Sequence, residues 1–198
     1  MRHQGVWIAL AGTMALGLGA ARGADLTSLD DANLRAVHFF DENEGWAVGD
    51  DGVIYHTVTG GKQWDRQPSG TNATLTGISA SDMSDGWIVG RRSLPYSGQS
   101  NGVLLAWHPA LVRWQPMQQG YAFPGLYRVQ MVDGRKGWAA GDTTDQNPSG
   151  LWLTVDSGRS WAPHRSARNA GWRAAAFFDP NNGVLGGLDR SLAVLRAG

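Results

Sequence analysis

One short phrase recurs along this chain: Gly45-Trp46-Ala47-Val48-Gly49, Gly86-Trp87-Ile88-Val89-Gly90 and Gly137-Trp138-Ala139-Ala140-Gly141. A fourth copy, Gly183-Val184-Leu185-Gly186-Gly187, has lost the tryptophan. The tryptophans stand 41 and 51 residues apart, and Val184 follows after 46 more. Self-similarity at such a period marks a repeat architecture, in which each copy is one supersecondary unit. Such a chain is a better candidate for recognition than for catalysis.

The residues around each phrase read as short strands and turns. In the first copy Leu34–Phe40 has strand composition, Asp41-Glu42-Asn43-Glu44 is a polar turn, and Gly45–Gly49 is a short apolar strand. Gly49-Asp50-Asp51-Gly52 is a hairpin signal. Val53–Val58 is β-branched and aromatic, hence a third strand. After Thr59-Gly60-Gly61-Lys62, Gln63–Gln67 makes a fourth. Glycine supplies 28 of 198 residues, about twice the usual share of roughly 7%, as short strands joined by tight turns require. No stretch carries an amphipathic helical period.

Four antiparallel strands in some 40 residues make one blade of a β-propeller. The expected fold is therefore all-β, a propeller of four-stranded antiparallel blades with about four present. They fall near residues 34–70, 75–119, 126–164 and 172–198. The last has no recognisable fourth strand, and an unpaired strand edge invites association. Three resolutions stay open: a longer propeller, a four-bladed ring closed by Asp25–Leu29, or a homodimer of two open arcs.

Ahead of the repeats, Arg2 and His3 precede an uncharged, mostly apolar run from Val6 to Ala21, and small residues follow. This is a signal-peptide pattern with cleavage after Gly23, too short for a spanning helix. An exported protein, periplasmic or extracellular and without an integral span after cleavage, is expected over residues 24–198. Losing Arg2 and Arg22 leaves 15 basic against 17 acidic residues, so nothing draws the chain to nucleic acid in bulk. Cysteine is absent, and stability must come from packing.

A second motif accompanies the first. Thr154-Val155-Asp156-Ser157-Gly158-Arg159-Ser160-Trp161 fits an Asp-box, Ser/Thr-x-Asp-x-Gly-x-Ser/Thr-Trp, at every fixed position. The first repeat keeps Thr57, Gly61 and Trp64 but has Thr59 in place of the aspartate. The second, Trp107 to Trp114, keeps only the final tryptophan. A carboxylate at Asp156 can accept bonds from turn amides, Gly158 permits a backbone closed to other residues, and Trp161 covers the hairpin. The motif reads as a turn-stabilising device rather than a metal or substrate site.

With the Gly-Trp phrase in register, these residues resemble the Asp-box (BNR-like) propellers of the photosystem II stability and assembly factor group. The resemblance spans about Leu34 to Leu195, although family propellers usually have more blades. It implies a non-catalytic scaffold that binds protein, an assembly or stability factor for a larger complex. The fold itself hosts unrelated activities.

Candidate contact residues come from loop growth. The loop between the second and third strands is four residues in the first repeat, but runs from Gly90 to Gly102 in the second and Gly141 to Gly150 in the third. Insertions on one face mark a binding surface. They offer Arg91, Arg92 and Tyr96 on one loop, and Asp142 and Asp145 on the next, with an Arg–Asp pair between the loops as an alternative use. The rival function is carbohydrate binding or sialidase-type hydrolysis at the cell envelope. Hydrolysis needs positioned carboxylates or a Tyr nucleophile, whereas these aspartates sit in turn contexts that favour Asp for backbone reasons. His38, His56, His108 and His164 lack metal-ligand spacing. No catalytic residue, metal or cofactor is assigned.

Overall fold

A computed structural model describes residues 32–82, 84–117, 122–165 and 171–196. The expected leader and the strand considered at Asp25–Leu29 lie outside the described residues. The first sheet holds β1 (Leu34–Phe39), β2 (Gly45–Gly49), β3 (Ile54–Thr57) and β4 (Asp65–Gln67), in that order. The second holds β5 (Thr74–Asp82), β6 (Asp85–Ser93), β7 (Ser100–His108) and β8 (Arg113–Pro116). The third holds β9 (Leu126–Met131), β10 (Gly137–Gly141), β11 (Leu151–Thr154) and β12 (Ala162–Pro163). The fourth has three strands among the described residues: β13 (Trp172–Asp179), β14 (Asn182–Gly187) and β15 (Leu192–Arg196).

Every pairing within a sheet is antiparallel and sequential. The first strands pack side by side, β1 on β5, β5 on β9 and β9 on β13. They form the inner wall from which the sheets fan outward. The chain is thus an all-β, propeller-like arc of about four blades, as the repeat implied. Among the described residues β13 and β1 make no comparable contact.

The Gly-Trp phrase is the second strand of each blade, and its alternation decides which residue serves which neighbour. Trp46 and Val48 face the following blade, as do Trp87 with Val89 and Trp138 with Ala140. Ala47, Ile88 and Ala139 face the other way. Each forward indole is seated on the next blade. Trp46 lies 5.9 Å from Trp107 and 5.8 Å from Trp114, ring centre to ring centre. Trp87 covers Gly158 so closely that a Cβ there would strike the indole. Trp138 stacks on Phe177 at 5.2 Å, and its Nε1 donates to the Pro180 carbonyl at 3.2 Å.

The closing glycine of the phrase has its own cause. A Cβ at Gly49, Gly90 or Gly141 would land on the carbonyl oxygen of Asn33, Thr74 or Gly125 respectively. The first strand therefore crosses the end of the second at a distance only glycine allows.

Truncating the indole should empty the best-packed part of the interface. Trp46→Ala is expected to cost about 3–5 kcal/mol of unfolding free energy, read from urea denaturation followed by circular dichroism. A loss below about 1 kcal/mol would show that the interlocked indole is not what joins these blades.

Candidate binding site

Two repeated positions converge at one end of the arc. The first is the residue after the closing glycine: Asp50, Arg91, Asp142 and Leu188. The second is the bulged residue of each first strand. The register slips between Leu34 and Ala36, between Leu75 and Gly77, opposite Ala140–Gly141, and between Trp172 and Ala174. The extra residues are Arg35, Thr76, Tyr127 and Arg173, and a bulge re-aims the side chain it carries. Arg91, Tyr127, Asp142, Asp145 and Arg173 line a cleft of about 660 Å³. A second hollow of about 280 Å³ shares Arg91, Tyr127 and Arg173 and adds Arg35, Thr76 and Arg128.

The charges are interlocked. Arg35 forks onto Asp50, donating from Nε to Oδ1 at 3.0 Å and from Nη2 to Oδ2 at 2.7 Å. Asn33 Nδ2 adds a third bond at 3.1 Å. The Arg35 hydrogen bond is the main reason the Asp50 carboxyl is lowered to about 2. Asp142 accepts from Ser100 Oγ and from Arg173 Nη1, both at 2.8 Å, and so ties the second and fourth blades to the third. The Arg173 guanidinium lies 3.8 Å from the centre of the Tyr127 ring, and Arg91 approaches the same ring at 5.5 Å. Both contacts are of the cation–π kind. Burial raises the Tyr127 pKa, keeping it a neutral phenol. Arg128 Nη1 donates to the carbonyls of Thr76 (2.8 Å) and Tyr127 (2.9 Å). Four arginines thus meet around one half-buried tyrosine, held by bonds that use fewer donors than the guanidinium groups carry.

Of the residues expected at a contact face, Arg91, Asp142 and Asp145 line this cleft. Arg92 points elsewhere, with Nη2 3.2 Å from Thr71 Oγ1. Tyr96 stands fully exposed at the hairpin tip with φ 63°. The expected loop from Gly90 to Gly102 is mostly strand: β6 and β7 stay paired out to Ser93 and Ser100, and only 94–99 turn. Its polar composition misled, because backbone pairing in an exposed hairpin needs no apolar side chains. The third loop is pinned rather than solvated. Asn147 Nδ2 donates to the Leu151 carbonyl at 3.0 Å, Ser149 Oγ to Asn147 Oδ1 at 2.8 Å, and Trp172 Nε1 to the Ser149 carbonyl at 2.7 Å. In place of the Arg–Asp pair held open as an alternative between the two loops, Asp142 bonds Arg173 and Arg91 turns to Tyr127.

Arg35, Tyr127, Arg128 and Arg173 were missed. A signal existed in the aligned starts of the copies, Leu34-Arg35, Leu75-Thr76, Leu126-Tyr127 and Trp172-Arg173, where a large apolar residue precedes a polar or amphipathic one. In the last three copies the apolar partner is buried, whereas Leu34 is exposed; in all four the next residue is the bulge.

The turns on the opposite face are braced mainly by their own side chains, and the Asp-box-like turn also bonds the neighbouring turn, Ser157 Oγ donating to the Gly134 carbonyl at 2.7 Å. Asp156 Oδ1 accepts from Thr154 Oγ1 at 2.8 Å and from the Ser160 amide at 2.9 Å, while Ser160 Oγ donates to Oδ2 at 2.6 Å. The Gly158 amide donates to Thr154 Oγ1 at 2.9 Å, and Trp161 Nε1 to the Gly158 carbonyl at 3.2 Å. In the first blade Thr59 takes the carboxylate's place: the Gln63 amide donates to its Oγ1 at 2.9 Å, with Gly61 on Thr57 and Trp64 on Gly61 as before. In the second blade the stretch becomes a 3-10 turn, Pro109–Leu111, followed by Val112 at φ 49°. Apart from that link these bonds are local, and all serve the hairpin. Among the described residues no three His, Asp or Glu side chains gather as a metal site, and no helix is long and apolar enough to cross a membrane.

No protein-family profile matches the chain, and no curated protein matches it. Solved structures do. YCF48 bound to a D1 peptide aligns with 84% of this chain at a TM-score of 0.64 and 18% identity. This likeness shows the β-propeller fold. The chain spans about half of that protein, 51% of its length. YCF48 from Cyanidioschyzon merolae (14% identity, 83% of this chain and 96% of that one, TM-score 0.30) and the WD40 propeller domain of Doa1 (13%, 85% and 66%, TM-score 0.43) are more distant.

The Ser160 hydroxyl and amide, with Thr154, hold the Asp156 carboxyl at about 2, below the ordinary range of an aspartate. A carboxyl depressed in the folded state stabilises above its unfolded pKa and loses that contribution as pH falls towards the folded one. Asp156→Ala should therefore lower the melting temperature at pH 7, and the gap to the parent should close between about pH 4 and pH 2. Asp156→Thr, copying Thr59, should recover part of the loss. Equal melting of parent and Ala variant at pH 7 would remove the capping role.

Proposed function

We propose that this chain is a non-catalytic β-propeller scaffold that binds another protein through the arginine- and tyrosine-rich cleft. The observation that carries this reading is the convergence of Arg35, Arg91, Arg128 and Arg173 on Tyr127. Arg and Tyr are favoured at protein contacts, and here they are held in place before any partner arrives, which cuts the ordering cost of binding. Arg92, Tyr96, Asp142 and Asp145 extend the contact surface along the same end of the arc. A fold relative whose solved structure holds a peptide, YCF48 with its D1 peptide, supports a peptide or protein as the occupant.

The finer reading follows the motifs. The Thr154–Trp161 turn is an Asp-box, the protein is exported behind a cleaved leader, and it serves assembly or stability of a larger complex at the cell envelope. Glycoside hydrolysis fits poorly. It needs a carboxyl that keeps its proton near neutral pH, whereas Asp50 is lowered to about 2 and Asp142 is held by Arg173 and Ser100.

Immobilised chain should retain a defined protein from the envelope fraction of its host. Arg91→Ala with Arg128→Ala should reduce that capture at least ten-fold while the circular dichroism spectrum is unchanged. Arg92→Ala with Tyr96→Ala, at the hairpin tip, should have a smaller effect. Undiminished capture by the cleft variant would sink the proposal.

A further inference from the structure

The ring of Tyr127 stands where the two cavities of the site meet. Arg91, Tyr127 and Arg173 line both, the guanidinium groups lying 5.5 Å and 3.8 Å from the ring centre. What each cavity adds to these three is opposite in sign. The hollow adds Arg35 and Arg128, and among the described residues no carboxylate lines it. Its walls come mainly from first strands, which makes it the inner of the two. The cleft adds Asp142 and Asp145, carried on the loop after β10, and is bordered by the β6–β7 hairpin. One continuous space therefore runs from a basic inner part to an outer part that holds both signs.

Most of these charges already have partners. Arg35 is forked onto Asp50, Arg173 is bonded to Asp142, and Arg128 donates to two backbone carbonyls. The second oxygen of Asp142 takes the Ser100 hydroxyl. Arg91 and Asp145 are the remainder: among the described residues, neither side chain is hydrogen-bonded or ion-paired to another group. Asp145 is nonetheless held in place. Thr144 and Asn147 exchange backbone bonds of 3.1 Å in both directions, and the Asn147 amide also donates to Thr144 Oγ1 at 3.0 Å, so Asp145 and Gln146 form a two-residue tip. The Asn147 side chain roots that tip on the Leu151 carbonyl. A carboxylate at the cleft and a guanidinium against Tyr127 are thus left for a ligand.

The signs decide what fits. Like charges set against each other across a contact repel, and a buried charge left without a partner weakens it. A wholly acidic segment would satisfy the hollow and be repelled at Asp145. A wholly basic one would satisfy Asp145 and be repelled by four guanidinium groups. We infer that the cleft takes a peptide segment carrying both signs, an acidic side chain in the hollow beside Tyr127 and Arg91 and a basic side chain at Asp145. That order fixes the direction in which the segment lies. The inference rests on the cleft being a protein-binding site and adds the chemistry of its partner.

A library of random dodecapeptides displayed on phage, selected on the immobilised chain, is the probe. Recovered sequences should pair an acidic with a basic residue in one preferred order. A synthetic peptide of recovered sequence should bind the parent, and Asp145→Lys should weaken it at least ten-fold with the circular dichroism spectrum unchanged. Asp145→Asn should weaken it less. Changing the basic residue of the peptide to glutamate should restore binding to the Asp145→Lys variant. Reversing the order of the peptide's residues should weaken binding to the parent at least ten-fold. Peptides that lose binding on Arg91→Ala yet are indifferent to Asp145→Lys would overturn the two-signed segment and leave the cleft's role intact. A selection that recovers nothing, or recovers only peptides that bind the chain carrying Arg91→Ala with Arg128→Ala as well as the parent, would overturn both.

Discussion

An indole carried on the second strand of one blade and seated on the next blade is the contact from which the rest of this arc follows. A four-stranded sheet of two- to nine-residue strands has two faces to cover and too little area to be stable alone. Sending Trp46, Trp87 and Trp138 forward, and small or branched residues such as Ala47, Ile88 and Ala139 backward, makes one face a plug and the other a seat. The seat differs each time. It is a pair of tryptophans under Trp46, a glycine turn under Trp87 and a single phenylalanine under Trp138. The plug is the constant part and the seat adapts to it.

The same strand positions the cleft. Its closing glycine draws the first strand across its end, and the first strand answers with a bulge opposite that glycine and the residue before it. Two side chains per blade are thereby brought to the inner rim without any dedicated loop. This explains why Arg35, Arg91, Tyr127, Arg128 and Arg173 all come from strands, while Asp142 and Asp145 come from the loop after β10, and why the bonds of Arg128 and Arg173 run between blades. Arg173 reaches Asp142 and Tyr127 of the preceding blade, and Arg128 reaches the Thr76 carbonyl of the blade before its own. The cleft is a product of blade register, so what disturbs the seating of an indole also disturbs the rim.

The second strands, the blade count and the turn chemistry were legible in the sequence, because each depends on residues with few substitutes: glycine at a close approach, tryptophan in a plug, a hydroxyl or carboxylate in a turn. Thr59 shows how far that legibility extends, since it replaces an aspartate and keeps the bond to the amide four residues on. The long β6–β7 hairpin was read as a loop because its residues, Arg91-Arg92-Ser93 and Ser100-Asn101-Gly102, pair through backbone alone. The arginine cluster was obscured for another reason. Arg35, Arg128 and Arg173 are far apart in the chain and ordinary in composition; Arg35 and Arg173 are bulged residues and Arg128 follows the bulged Tyr127, so register rather than sequence brings them to one place. Loop growth pointed to Arg91, Asp142 and Asp145, which line the cleft, but not to Tyr127 beside them.

The aspartates divide by what their bonds span. Asp156 bonds within four residues of itself, and its whole effect is on one hairpin. Asp50 is bonded across its own blade by Arg35. Asp142 alone among these three is bonded from two other blades. A charge that joins blades responds to how the blades are set, which places Asp142 and its partner Arg173 where the arc and its cleft are coupled.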